Sequence, residues 1–134
     1  MTRATPEPAW LTVVHTRMLH AESVRLFGGA PGVRDHGLRE SAIDRPRNLW
    51  SHDEATTVFD LAAAYGFGLA KNHAFIDGNK RVALLAMRAF LHRNGFSLTP
   101  PEVATVTTIE GLAAGSIDEV TLAVWLQKHS VRRL

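Results

Sequence analysis

The chain has 134 residues, with 15 Lys/Arg against 13 Asp/Glu for a formal charge of +2, and no cysteine. One domain of that length buries roughly two thirds of its unfolded surface and folds without staples, while the lack of cysteine excludes disulfides and thiolate metal sites. The basic residues are scattered, so a pI near 9.5 does not make a patch, and nucleic-acid binding, which wants clustered Lys/Arg with interleaved aromatics, is not expected. Met1 to Pro8 carry no apolar signal-peptide core. The longest nearly apolar stretch, Leu61 to Ala70, is about half of what a bilayer span needs and is interrupted by Gly66 and Gly68. A single cytoplasmic domain over residues 1–134 is the expectation.

Thr5-Pro6 followed by Leu11, Val14, Met18 and Leu19 predicts a capped first helix ending at Gly28-Gly29. Leu38 to Asp44 predicts a short second helix stopped by Pro46, because the residue before a proline avoids the α region. Arg47 to Glu54 is then left as an irregular or hairpin segment. A third helix is expected from Thr57 to Lys71 and a fourth from Asn79 to Asn94, closed by Gly95. Apolar residues from Val82 to Leu91 cover nearly the whole circumference of the fourth, as a central helix requires. Thr99-Pro100-Pro101 opens a fifth helix that Gly115 ends, and Ser116 to Glu119 has the spacing of a capping box for a sixth. No strand-like alternation of useful length occurs. The fold class read from this pattern is all-α, a compact six-helix bundle around a central apolar helix, with at most one small β-hairpin between Arg45 and Thr57.

The stretch joining the third and fourth helices, His73-Ala74-Phe75-Ile76-Asp77-Gly78-Asn79-Lys80-Arg81, concentrates a base, a carboxylate, a Gly/Asn turn and two cations. It places Gly78, Asn79 and Lys80 where free helix N-terminal N–H groups can meet an anion. His73 can accept a proton from an alcohol near neutral pH, or can simply cap the third helix. Asp77 can hold Mg²⁺, which needs only one or two protein oxygens, or can cap the fourth helix. Gly78 lets backbone approach a ligand, and Asn79 can cap or contact a phosphate. Lys80 and Arg81 sit in a first turn where cations oppose the helix dipole by a few tenths of a kcal/mol each. Something anionic should compensate, Arg81 gripping phosphate in a bidentate fashion and Lys80 acting as a point charge. Phe75 and Ile76 are expected to anchor the loop in the core.

These residues match the pattern of the Fic/Doc superfamily and most closely resemble its Doc (death-on-curing) toxin branch. Gly28-Gly29-Ala30-Pro31-Gly32-Val33-Arg34-Asp35 and Leu38 to Pro46 resemble the Doc-type N-terminal region, so the similarity spans essentially the whole chain. Fic proteins usually read His-Pro-Phe, an acidic residue, then Gly-Asn-Gly-Arg and a second arginine, and transfer AMP to a protein hydroxyl. Here Ala74 replaces the proline, Lys80 the second glycine, and Leu84 the second arginine. The lysine marks the Doc branch, whose members act as kinases that move the γ-phosphate of ATP to a threonine of elongation factor Tu and stop translation.

The resemblance implies His73 as general base, Asp77 as Mg²⁺ ligand, Asn79 and Lys80 as phosphate contacts, and Arg81 as the clamp on transferred charge, with Gly78 part of the phosphate cradle. It implies ATP and Mg²⁺ as cofactors, a cognate antitoxin as partner, and a target docked by strand addition on a hairpin that maps onto Arg47, Leu49 and Trp50. Leu49 and Trp50 could equally be core residues. The Ser/Thr that precedes an inhibitory glutamate in self-inhibited Fic proteins would fall at Val106, four residues before Glu110, so internal inhibition is not implied. Two other functions remain open: AMP transfer by the same loop, and a non-catalytic module that binds a partner.

Overall fold

A computed structural model describes residues 6–134, with the element order α1 Val13–Phe27, α2 His36–His52, α3 Val58–Asn72, α4 Asn79–Arg93, β1 Phe96–Leu98, α5 Glu102–Ala114, α6 Glu119–Lys128 and β2 Ser130–Arg132. The six-helix, all-α architecture is the one expected. Its centre is α3 rather than α4. Leu61, Ala62, Ala63, Ala64, Tyr65, Leu69 and Ala70 are all buried, and α3 packs against α2, α4, α5 and α6. On α4, Leu84, Leu85 and Ala89 are only partly buried, and Arg81 and Arg88 face solvent. Small residues let the central helix be approached closely. A Cβ on Gly66 would overlap the Met87 sulfur of α4, so the glycine that weakens the apolar run is what seats these two helices together.

The second helix departs most from expectation. α2 continues through Pro46 to His52, so no hairpin forms between Arg45 and Thr57. An internal proline costs roughly 3 kcal/mol, but Ala42, Ile43, Pro46 and Trp50 recur at helical spacing and are buried on the α3 side. Burying a side chain such as Ile43 returns about 1.5–3 kcal/mol, and the larger Trp50 adds to that. Tertiary packing therefore outweighs the local penalty. Trp50 is only 8% exposed and lies edge-on to Trp10, at 6.3 Å between ring centroids.

The observed sheet is a different one. β1 and β2 pair antiparallel, Phe96 opposite Arg132 and Leu98 opposite Ser130, and such three-residue partners are too short to show alternation in sequence. The first helix begins at Val13, with the Thr12 side chain accepting from the His15 N–H; the expected Thr5 cap lies outside the described residues. Ahead of it, the chain is tied to α3 by Tyr65, whose hydroxyl accepts from the Leu11 N–H at 3.0 Å and donates to the Leu11 carbonyl at 3.3 Å. Burial pushes that phenol up to about 12. At α6 the cap is Asp118, accepting from the Thr121 N–H, while Ser116 donates to the Gly111 carbonyl. The capping-box spacing thus lay two residues from the residue that caps. No helix among the described residues is long and apolar enough to cross a membrane.

Candidate active site

The loop between α3 and α4 is built on His73, which ends α3 in the left-handed region at φ 50° and ψ 45°. Histidine tolerates that region better than bulky residues do, and the backbone around it is held from outside. Arg34 Nε donates to the His73 carbonyl at 2.7 Å and Nη2 to the Asn72 carbonyl at 3.2 Å, satisfying two of the carbonyls a helix end leaves open. The Arg34 and Asp35 N–H groups both donate to the Ala74 carbonyl, and the Ile76 N–H to that of Gly32. Residues 28–35, legible as one motif, therefore stitch the loop in place.

Within the loop, Phe75 is buried and stacks on His20, the ring centroids 4.2 Å apart. Ile76, expected in the core, is 56% exposed at the cavity rim; tight turning at residues 76–78 breaks the alternation that would have pointed it inward. Asn79 does not cap α4. Its Oδ1 accepts from the Phe75 N–H at 3.0 Å and its Nδ2 donates to the Phe75 carbonyl at 2.9 Å, so the side chain holds the loop and only its backbone N–H is left to face a ligand. Gly78, at φ 78°, is the N-cap and supplies no side-chain acceptor. The first turn of α4 is consequently uncapped, with N–H groups directed outward and positive dipole exposed.

A cavity of about 610 Å³ opens over this helix end, lined by His73, Ile76, Asp77, Gly78, Asn79, Lys80 and Arg81 and closed on one side by Phe27, Gly28 and Gly29, with Ala113 from α5. His73 is exposed and, among the described residues, its imidazole has no hydrogen-bond partner. The Asp77 carboxylate accepts from the Gly78 N–H through Oδ1 at 2.8 Å and from the Ala30 N–H through Oδ2 at 3.3 Å. Gly29 makes that approach possible, since a Cβ there would stand 2.8 Å from Asp77 Oδ2. Lys80 reaches across to α5, its Nζ 2.8 Å from Glu110 Oε1. Arg81 lies over the Phe27 ring.

The structure thus brings together His73, Asp77, Gly78, Asn79, Lys80 and Arg81 around one cavity. Arg47, Leu49 and Trp50 are elsewhere, on α2: Arg47 lies over the Trp10 ring, Trp50 is buried, and Leu49 is half-buried beside a second cavity with Asp53, Thr56 and Asp60. With that segment helical, its backbone groups are taken up within α2 and offer no open strand edge to a target. His20 is a site residue that sequence reasoning missed. Its Nε2 donates to the Asp77 carbonyl at 2.8 Å. The signal was present, because Thr16, His20 and Ser23 recur at helical spacing and form the buried face of α1, whereas Val14 and Met18 face outward.

The Asp77 carboxylate suits Mg²⁺. Each of its oxygens accepts one N–H and keeps lone-pair capacity, the residue lines the cavity, and no group of three or more His, Cys, Asp or Glu exists among the described residues to form an all-protein cage. A cation held by one carboxylate, waters and substrate phosphates is the usual magnesium arrangement.

Comparison with known proteins places the chain among named relatives. The chain is 36% identical over 111 residues to the protein named "Protein kinase doc" of Escherichia phage P1, covering 82% of this chain and 86% of that one. It is 47% identical over 73 residues to "Toxin Doc" of Mycolicibacterium smegmatis, covering 54% of this chain and 56% of that protein. Residues 10–91, which run from Trp10 through α1, α2, α3 and the loop into α4, match the model of the Fic/DOC family. Since that match includes the whole histidine loop and the segment that stitches it, this chain is a member of the Fic/DOC family.

Proposed function

We propose that the protein is the toxin of a type II toxin–antitoxin pair and a protein kinase of Doc type, moving the γ-phosphate of ATP to a Ser or Thr hydroxyl of a translation protein. Elongation factor Tu is the target suggested by resemblance to the Doc branch. The observation that carries this reading is the uncapped N-terminus of α4, bearing Lys80 and Arg81 and facing the unengaged imidazole of His73 across one cavity. It is supported by a relative named as a protein kinase and another named as a toxin.

In this mechanism His73 takes the proton of the attacking hydroxyl, the oxygen bonds to the γ-phosphorus, and the bond to ADP breaks with its electron pair on the departing oxygen. Backbone N–H groups of Gly78, Asn79 and Lys80, with the Arg81 fork, hold the phosphate oxygens. Lys80 exchanges Glu110 for phosphate. Asp77 would hold Mg²⁺, which supplies charge neutralisation between phosphates when bound. Phosphoryl transfer asks mainly for positioning and neutralisation, which is what this residue set provides.

The cellular setting proposed is the cytoplasm, with activity held in check by a cognate antitoxin. Val14 and Met18, four residues apart and exposed on α1, offer apolar surface of the kind an antitoxin helix would cover. Incubation of the purified protein and its target with ATP labelled at the γ or the α position tests the reaction. Transfer of γ label alone is expected; α label alone would replace kinase chemistry with AMP transfer. His73→Ala is expected to lower the rate by about 10²- to 10⁴-fold, and undiminished toxicity of that variant in cells would leave a non-catalytic binding module instead.

A further inference from the structure

Arg81 extends from the first turn of α4, and its guanidinium carbon lies 4.9 Å from the centroid of the Phe27 ring. Phe27 is the last residue of α1 and lines the same cavity. The ring is 61% exposed and belongs neither to the core nor to the side chains packed against it. Among the described residues Arg81 has no carboxylate partner and no side-chain hydrogen bond. The phenyl ring is therefore the group that holds the guanidinium.

That choice of partner has a chemical consequence. The negative face of an aromatic ring attracts a cation through its quadrupole and uses none of the five N–H donors. A carboxylate in the same position would occupy two of those donors and offset the charge. An anion entering the cavity thus meets a guanidinium drawn to the cavity wall with its hydrogen-bonding capacity unspent.

We propose that Phe27 is a positioning residue for Arg81, its ring holding the guanidinium at the cavity wall so that a phosphate finds the donor fork already placed. The proposal rests on the phosphate-binding reading of this cavity and adds to it a residue from α1, outside the histidine loop. It makes the end of α1 a two-handed brace, with Phe27 placing the cation and the Ala30 N–H, three residues on, placing the Asp77 carboxylate.

The test is calorimetric titration of the full chain with two probes, inorganic tripolyphosphate and ATP, each with Mg²⁺. Phe27→Leu keeps an apolar side chain without a quadrupole, and the exposure of the site spares the core. It is expected to weaken both probes by about three- to fivefold, the strength of a cation–π contact at an exposed position. Phe27→Trp should restore binding to within about twofold. In an Arg81→Ala background the Phe27→Leu change should have no further effect, since the two residues form one coupled pair. Unchanged affinity in Phe27→Leu would overturn the proposal, as would a loss that persists without Arg81. Weakening of ATP alone would also overturn it and reassign the ring to stacking on the base. Binding of neither probe by the wild-type chain would remove the phosphate reading and this proposal together, a result separate from any pattern among the variants.

Discussion

The imidazole of His20 on α1 donates from Nε2 to the backbone carbonyl of Asp77 at 2.8 Å, although 57 residues separate them in sequence. With its ring stacked on Phe75, this buried side chain holds the loop at two points. His20→Leu fills similar space and leaves the carbonyl without its donor. The expected cost is about 1–3 kcal/mol in urea denaturation, with a fall in transfer rate larger than the fall in ATP affinity, because it is the carboxylate and base that shift. A variant as stable as wild type would mean that water replaces the donor.

Gly28 and Gly29 both lie at positive φ, 79° and 106°, but only Gly29 faces the carboxylate. An alanine at either pays backbone strain of roughly 1–3 kcal/mol. Only Gly29→Ala also pushes Asp77 Oδ2 away. Titration of activity with Mg²⁺ should show a loss of apparent metal affinity of about tenfold for Gly29→Ala, the low end of what disturbing a supporting contact costs, and little change for Gly28→Ala. Equal behaviour of the two variants would remove the steric argument.

Lys80 and Glu110 form an ion pair whose side chains are each about half exposed, so it adds at most about 1 kcal/mol to stability. Its effect on binding is expected to have the opposite sign. Glu110→Gln frees the ammonium and should raise ATP affinity by about two- to fivefold at low salt, with melting unchanged; the gain should vanish at high salt, where exposed pairs are screened. A drop in affinity would show that Glu110 orients Lys80 for its ligand.

Glu119, at the start of α6, has its carboxyl raised above the usual glutamate range by burial, with the Arg45 guanidinium acting against that shift. Relative to the unfolded chain, folding therefore shifts Glu119 toward protonation. The stability this contributes is fully present below the ordinary glutamate value and is lost as pH rises through the folded one. Measured by denaturation from about pH 4 to about pH 7, wild type should lose ground to Glu119→Gln as pH climbs. A difference that stays flat would mean that the group titrates alike in folded and unfolded chains.

Much of the candidate site was legible because its residues are contiguous: His73 to Arg81 form one loop and the start of α4, and residues 28–35 read as a second motif. What escaped was set by packing across the fold. Pro46 reads locally as a stop, yet the buried stripe Ala42, Ile43, Pro46 and Trp50 carries α2 past it. Asn79 has the composition of a cap or a phosphate ligand, and only the loop's curvature shows its amide closing on Phe75. His20 went unnoticed because a polar face on α1 looks solvent-directed until the loop that it supports is in place.

The contact of Gly66 with Met87 packs α3 closely against α4, and the proposed active loop joins their ends. Heat inactivation and loss of helicity should accordingly share a single midpoint, with no earlier phase in which the domain persists but its chemistry has failed.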